Sequence, residues 1–116
     1  MPFTTTYKRG DIVLVPFPFT DLSSSKKRPA LIVSPDSFNA SKQDVVLVAI
    51  TFQIGADPHS IVVDEHDYLD GKLPKPSMIR ISKMFTIHSA LIVKRICGLS
   101  MPKLRQVLNS IQEFYS

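Results

Sequence analysis

The sequence has little of what small proteins use to staple themselves together or to hold a metal. Its 116 residues include one cysteine, Cys97, so no internal disulfide can form, and we expect this residue to be a small apolar part of the core. The three histidines are scattered, and no pair of cysteines or histidines has the spacing of a metal site. The sequence therefore predicts neither a metal nor another cofactor.

Long hydrophobic runs are also missing. Apolar stretches such as Asp44–Ile50 are too short to cross a bilayer, and the N-terminal MPFTTTYKRGD lacks the apolar centre of a signal peptide. We therefore expect a cytoplasmic protein without a membrane partner. Hydrophobic residues make up 44% and charged residues 21%, which is typical of a globular chain, and the length predicts one domain over residues 1–116.

The charge is unbalanced toward the positive side. The formal net charge is +4 and the isoelectric point is about 9.4. This excess favours a polyanion such as a nucleic acid as the partner, although charge alone does not identify one.

The order of apolar segments predicts a mainly β fold. Six strand-like segments precede one helix, and no helix is visible between them, which favours a small antiparallel barrel over a parallel α/β fold. In the fifth segment Ile79, Ile81, Phe85 and Ile87 share one parity, interrupted by Lys83. The six segments are Asp11–Phe17, Arg28–Ser34, Gln43–Phe52, Ser60–Asp64, Ser77–His88 and Leu91–Cys97.

The tail SMPKLRQVLNSIQEFYS predicts an amphipathic helix that covers one face of the sheet. Ser100 is a suitable N-cap, and Pro102 is tolerated in the first turn. The apolar residues at helical spacing are Leu104, Val107, Leu108, Ile111 and Phe114 or Tyr115.

The insert between the first two strands, Phe17 to Lys27, is long for a hairpin loop and is therefore a functional candidate. Phe17 and Phe19 either stack on bases or, as we favour, anchor the loop to the core. Lys26 and Lys27 return the chain to the sheet and could attract a nucleic-acid backbone. A solvated basic turn that protects a sheet edge is the alternative reading.

Two residues at strand ends could form a phosphate site. Arg28 directly precedes Pro29, so its backbone is held extended, and its planar fork could bind a phosphate. Thr51 ends the third strand with a hydroxyl, which either satisfies its own backbone or meets Arg28 if the two strands are neighbours.

At this point the sequence resembles the MazF and PemK toxins of type II toxin–antitoxin modules. The residues that carry the resemblance are GDIVLVPFPFTDLSSSKKRPALIVSPD, VAITFQ and PSMIRISKMFTI. The resemblance implies an SH3-like barrel, shared with the CcdB toxins, that forms a homodimer. It also implies metal-independent cleavage of single-stranded RNA at specific sequences. In that reaction the ribose 2′-hydroxyl attacks the adjacent phosphate and leaves 2′,3′-cyclic phosphate and 5′-hydroxyl ends.

The resemblance assigns roles to individual residues. The arginine of the family's RP motif falls on Arg28, and the threonine or serine that ends the third strand falls on Thr51, so these are the expected catalytic residues. The residues expected to bind RNA are Lys26, Lys27, Gln53, Ser77 and Arg80. The implied partners are single-stranded RNA, a cognate antitoxin, and operator DNA bound together with the antitoxin.

The chain departs from the family at the start of the fifth strand. Ser77 stands where some members have the glutamine of a DQ pair, and Pro76 and Pro74 stand where one branch has an acid/base aspartate and an arginine. The mechanism of that branch therefore does not transfer, and the group that deprotonates the 2′-hydroxyl is unassigned. A gyrase poison like CcdB, or a degenerate toxin that binds only antitoxin and operator DNA, is the alternative function.

Overall fold

In the part of the chain that the structure describes, a helix packs against a single curled sheet of seven strands. The computed structural model describes residues 6–16 and 26–116. The strands are β1 (Asp11–Pro16), β2 (Lys27–Ile32), β3 (Asp44–Thr51), β4 (Ser60–Val63), β5 (Tyr68–Asp70), β6 (Ser77–His88) and β7 (Lys94–Leu99). The helices are α1 (Asp36–Ser41) and α2 (Met101–Phe114), with 3₁₀ turns at Glu65–Asp67 and Ser89–Leu91. The prediction of a mainly β fold with a C-terminal helix is confirmed.

Every pair of neighbouring strands is antiparallel, in the order β4-β6-β3-β2-β1-β7-β5. This follows from the short connections, since antiparallel neighbours need no crossover helix. The sheet is curled, as in a half-barrel. None of the described helices is long and apolar enough to cross a membrane.

The strand count of six is wrong, because β5 has only three residues and carries no alternating pattern of its own. Helix α1, which the sequence does not predict, spans six residues, too few to show a helical period. It is held by a buried pair: the amide of Asn39 donates to the Ser34 carbonyl at 3.1 Å. Strand β7 begins at Lys94 instead of Leu91, because the chain first makes the turn at Ser89–Leu91.

Two apolar clusters lie on opposite faces of the sheet. The larger one lies under α2, and it includes Ile79 and Ile81 of β6. The smaller one is formed by β1, β2, β3 and the second half of β6, and it includes Phe85 with Ile87 packed against it. The four residues that share one parity in the sequence therefore lie on two different faces.

The cause is a bulge in β6. Val48 and Ala49 are adjacent on β3, yet they face Met84 and Arg80, so Ile81–Lys83 form the bulge. An odd number of inserted residues reverses which side chains point to which face. Lys83, the residue that interrupts the alternation in the sequence, lies in this bulge.

Helix α2 seals the larger cluster. Leu104 and Val107 are buried, and Leu108 and Ile111 pack against the same cluster, as the helical spacing predicts. Ser100 stands at the N-cap, where its backbone N–H donates to the Asp67 carbonyl at 2.6 Å. Cys97 is fully buried, and burial raises the pKa of its thiol to about 11, in keeping with its expected role as a core residue.

Most of the insert from Phe17 to Lys27 lies outside the described residues. This holds for Phe17 and Phe19, for Pro18, and for the serine tip at residues 23–25. The described part of the insert begins at Lys26, immediately before β2.

Gly71 makes the turn that leads the chain from β5 to the loop of residues 72–76. Its φ angle is +58°, in the left-handed region, and a Cβ placed on it would lie 3.1 Å from the Cβ of Cys97. Both facts favour glycine, since a side chain there adds backbone strain and crowds a buried strand.

We predict that Gly71→Ala lowers the free energy of unfolding by about 1–3 kcal/mol, because it combines left-handed strain with a close contact. Urea titration followed by circular dichroism measures this. Gly55→Ala is the matched control, because nothing lies within 4 Å of a Cβ at that position, and its effect should stay within about 0.5 kcal/mol. Equal stability of the two variants would contradict the role given to Gly71.

A cationic lip on strands β2 and β3

The register between β2 and β3 brings Arg28 and Thr51 to the same end of the sheet. The ladder pairs Ile32 with Leu47 and Ala30 with Ala49. Counting two residues further along each strand sets Arg28 across from Thr51. Because alternate residues share a face, both lie on the face of Ala30 and Ala49. From the sequence, Thr51 could meet Arg28 only if β2 and β3 are neighbours, and the two strands do pair.

Pro29 explains why the ladder ends where it does. Proline has no N–H, so it cannot donate to β3. The ladder between the two strands therefore stops at the pair of Ala30 and Ala49. We call Lys26–Arg28 together with Thr51 and Phe52 the cationic lip.

Two clefts open on the cationic lip. The smaller, of about 250 Å³, is lined by Lys26, Lys27, Arg28, Pro29, Ile50 and Phe52. The larger, of about 380 Å³, is lined by Leu14, Lys27, Pro29, Phe52, Leu73, Pro74, Lys94, Arg95 and Ile96. Lys27, Pro29 and Phe52 line both clefts, so the two are adjacent. These described lining residues include several cations and no carboxylate.

Arg28 is held against the sheet, while its lysine neighbours are exposed. The residue is half-buried and its Nε atom is buried, whereas Lys26 and Lys27 are exposed. A guanidinium anchored in this way presents a fixed fork, and the two exposed ammonium groups add positive charge. Arg28 therefore differs from its two lysine neighbours by lying against the sheet.

The hydroxyl of Thr51 is fixed by a local hydrogen bond. Its Oγ1 accepts from the backbone N–H of Gln53 at 3.1 Å. Because a hydroxyl can accept and donate at once, its proton can still be directed to an oxygen of a ligand. The hydroxyl of Thr51 thus satisfies nearby backbone, as one reading expects, and its meeting with Arg28 stays a prediction. The side chain of Gln53 itself is exposed.

Arg80 and Ser77, both expected to bind RNA, occupy different environments. Arg80 lies opposite Ala49, and its Nη2 is 3.7 Å from Asp57 Oδ2. The pKa of Asp57 is lowered, mainly by the backbone N–H of His59 and then by the hydroxyl of Ser60, and Arg80 contributes less. Arg80 is thus only weakly tied to this carboxylate.

Ser77 is fully buried, and its hydroxyl donates to the carbonyl of Lys75 at 2.8 Å. Its position corrects the expectation that it contacts RNA, because the hydroxyl faces the protein interior. The sequence signal for this burial was the place of Ser77 at the start of an apolar strand.

Arg95 lies in the larger cleft, but its charge is already compensated. Its Nε donates to Asp11 Oδ1 at 2.9 Å, and its Nη2 lies 3.1 Å from Asp70 Oδ2. The hydrogen bond to Asp11 raises the pKa of Arg95, while the N–H of Gly98, followed by Arg95, lowers the pKa of Asp70. Lys94, by contrast, is exposed beside it.

Sequence reasoning assigned no role to Phe52 or Lys94. Phe52 directly follows Thr51 and lines both clefts. The ammonium of Lys75 lies 5.9 Å from the centre of its ring. The signal available in the sequence was an aromatic residue immediately after the apolar third strand. Lys94 was hidden inside a predicted strand, and its place at the cleft depends on the pairing of Leu14 with Lys94 and with Pro29.

The arrangement can bind and stabilise a phosphate rather than abstract a proton. A half-buried guanidinium, a hydroxyl and exposed lysines are donors and cations, and no carboxylate or histidine is among the described residues that line the clefts. Nowhere in residues 6–16 and 26–116 do three His, Cys, Asp or Glu side chains gather as a metal site.

Solved structures of similar fold span nearly the whole chain. An endoribonuclease from a mycobacterial species shares 18% identity at a TM-score of 0.75, covering 97% of this chain and 93% of its own. A MazE–MazF complex from Deinococcus radiodurans shares 15% identity at a TM-score of 0.78, with 96% and 97% covered. A mycobacterial endoribonuclease in complex with its cognate antitoxin shares 16% identity at a TM-score of 0.75, with 92% of each chain covered.

At these identities the likeness shows the fold. No curated protein matches the sequence. The family model described as PemK-like, MazF-like toxin of type II toxin-antitoxin system matches residues 8–115. This match spans both strand ends of the cationic lip and helix α2, and it confirms the resemblance seen in the sequence. The chain belongs to the PemK-like, MazF-like toxin family of type II toxin–antitoxin systems.

Proposed function

We propose that this protein is a sequence-specific, metal-independent endoribonuclease toxin that cleaves single-stranded RNA. The observation that carries the proposal is the cationic lip: the pairing of β2 with β3 brings the strand ends that hold Arg28 and Thr51 to the same end of the sheet, and Arg28 lines one of two basic clefts there. Its family membership and the endoribonucleases of similar fold support the same reaction class.

In the proposed reaction, the ribose 2′-oxygen attacks the adjacent phosphorus while the bond from phosphorus to the 5′-oxygen breaks. The 2′-hydroxyl loses its proton to a group that is unassigned, and the leaving 5′-oxygen gains one. The products are a 2′,3′-cyclic phosphate and a 5′-hydroxyl end. All bonds are exchanged within one phosphodiester, so no second substrate is consumed.

Arg28 and Thr51 lower the barrier by stabilising charge. The guanidinium of Arg28 is a cation with N–H donors and no acceptor, so it neutralises the crowded phosphorane and does not act as a base. The hydroxyl of Thr51 donates a hydrogen bond to a non-bridging oxygen. A fixed donor of this kind is worth about 3 kcal/mol in the transition state.

The other cations serve binding. Lys26 and Lys27 attract the phosphates that flank the scissile bond, and this attraction weakens with added salt. Gln53 and Arg80 supply amide and guanidinium donors, which suit base edges and phosphates. Pro74, at the position of a charged residue in one branch of the family, lines the larger cleft with an apolar ring.

The proposal includes a homodimer in the cytoplasm that a cognate antitoxin silences. Solved structures of the same fold include antitoxin complexes of a mycobacterial endoribonuclease and of MazF from Deinococcus radiodurans. In this chain the exposed Leu91 and Val93 precede Lys94 and supply apolar surface for a partner. The complex with antitoxin is the form that binds operator DNA.

Brief expression of the chain in bacteria should produce new RNA 5′-hydroxyl ends at a recurring sequence, and Arg28→Ala should abolish them. Sequencing of RNA by ligation to 5′-hydroxyl ends measures this. Arg105→Ala, an exposed cation of α2, is the matched control and should cleave as the parent does. Double-strand breaks in DNA without new RNA ends would indicate a gyrase poison and refute the proposal.

Thr51→Val should reduce the rate of RNA cleavage in EDTA by about a hundredfold, because it removes one hydrogen-bond donor to the phosphorane. Thr51→Ser, which keeps the hydroxyl, should retain most of the rate. A purified protein and a synthetic RNA that contains the mapped site are sufficient for the assay. If the valine variant stays folded and cleaves as fast as the serine variant, Thr51 has no part in the reaction.

A further inference from the structure

Phe52 is an exposed aromatic residue at the cationic lip. It directly follows Thr51, its side chain is 37% exposed, and it lines both clefts of the cationic lip. Leaving a phenyl ring at the surface costs the free energy that its burial would supply. A ring kept there, between two clefts, is suited to contact with a ligand.

The surroundings of the ring select the class of ligand. Arg28 lines the cleft on one side of the ring and Lys94 the cleft on the other, while Lys27 lines both. The ammonium of Lys75 is 5.9 Å from the ring centre, which adds a cation–π contact. An aromatic ring with several cations and no carboxylate among the described lining residues matches a polymer of bases and phosphates.

Building on the proposed function, we propose that Phe52 is the stacking platform for an unpaired RNA base next to the scissile phosphate. When Arg28, which lines the smaller cleft together with Phe52, holds that phosphate, the adjacent base lies over the ring of Phe52. Lys27 and Lys94 then hold the phosphates on the side of the larger cleft. The larger cleft is thus a nucleotide subsite with an apolar floor that includes Pro29 and Leu73.

A stacked base explains how the lip orients its substrate. Phosphate contacts hold the strand but leave it free to slide, because every phosphate is alike. Stacking fixes one nucleotide relative to the ring, and therefore fixes which phosphate meets Arg28. Stacking tolerates any base, so Phe52 sets the register of the strand, while hydrogen-bonding side chains select the sequence.

The chain contains no tryptophan, so a single substitution can report on this subsite. Phe52→Trp introduces one indole fluorophore, whose emission a stacked base quenches. The probes are short 2′-O-methyl oligonucleotides, which cannot be cleaved by 2′-hydroxyl attack, and abasic oligonucleotides of the same length. Phe114→Trp is the matched control, since the ring of Phe114 is 40% exposed on α2 and packs 5.1 Å from His59.

We expect oligonucleotides with bases to quench the emission of the Phe52→Trp variant and to leave that of the Phe114→Trp variant unchanged. Abasic oligonucleotides should quench neither variant. Phe52→Leu, which keeps an apolar side chain, should bind the base-containing probes about tenfold more weakly than the parent. It should bind abasic probes as tightly as the parent does, because only phosphate contacts remain.

The subsite is refuted if Phe52→Leu loses no affinity, if abasic and base-containing probes quench the Phe52→Trp variant equally, or if the parent binds no probe. Emission of the Phe52→Trp variant that changes only with a cognate antitoxin would assign the cleft to a protein partner and also refute it. Binding without cleavage of natural RNA would instead overturn the proposed function and leave the subsite standing.

Discussion

The pairing of β2 with β3 is the constraint on which the rest of the molecule depends. The ladder from Ile32 and Leu47 to Ala30 and Ala49 fixes which residues of the two strands end side by side. Pro29 cannot extend that ladder, so β2 and β3 stop pairing with each other just before Arg28 and Thr51, which are paired with β1 and β6 instead. A slip of one residue would send one of these side chains to the opposite face.

The surrounding fold supports the ends of β2 and β3 in two ways. The bulge of β6 at Ile81–Lys83 lets one long strand contribute to both apolar clusters, so β2 and β3 are packed on both faces. The left-handed turn at Gly71 sends the chain back toward the cleft, where Leu73 and Pro74 form part of its wall. The charges that remain near the lip divide into those already paired, such as Arg95, and those that are exposed, such as Lys94.

Much of the fold was predictable because its elements are long and strongly patterned. Strand β6 and helix α2 matched closely, since twelve and fourteen residues give a clear period. Helix α1 and strand β5 were missed, since three to six residues show none, and both are held by tertiary contacts of Asn39 and Asp70. Arg28 and Thr51 could be selected from residue type and position. That they end neighbouring strands follows only from the β2–β3 pairing, which the sequence does not show.

Sequence reasoning also missed the burial of Ser77 and the exposure of Phe52, because both depend on tertiary packing. Ser77 looked like an exposed polar residue by comparison with the family, whereas burial depends on packing that one position does not report. Phe52 looked like the end of a core strand, and its exposure depends on the clefts beside it. For residues at the end of a strand or helix, the hydrophobic pattern of the sequence gives the least information about burial.

A double-mutant cycle on cleavage rate tests most directly whether Arg28 and Thr51 act on one phosphodiester. Single-turnover rates with the mapped RNA would be compared for the parent, Arg28→Ala, Thr51→Val and the double variant. If both groups stabilise the same phosphorane, the double variant loses clearly less than the product of the two single losses. Losses that multiply, as for independent sites, would contradict the account.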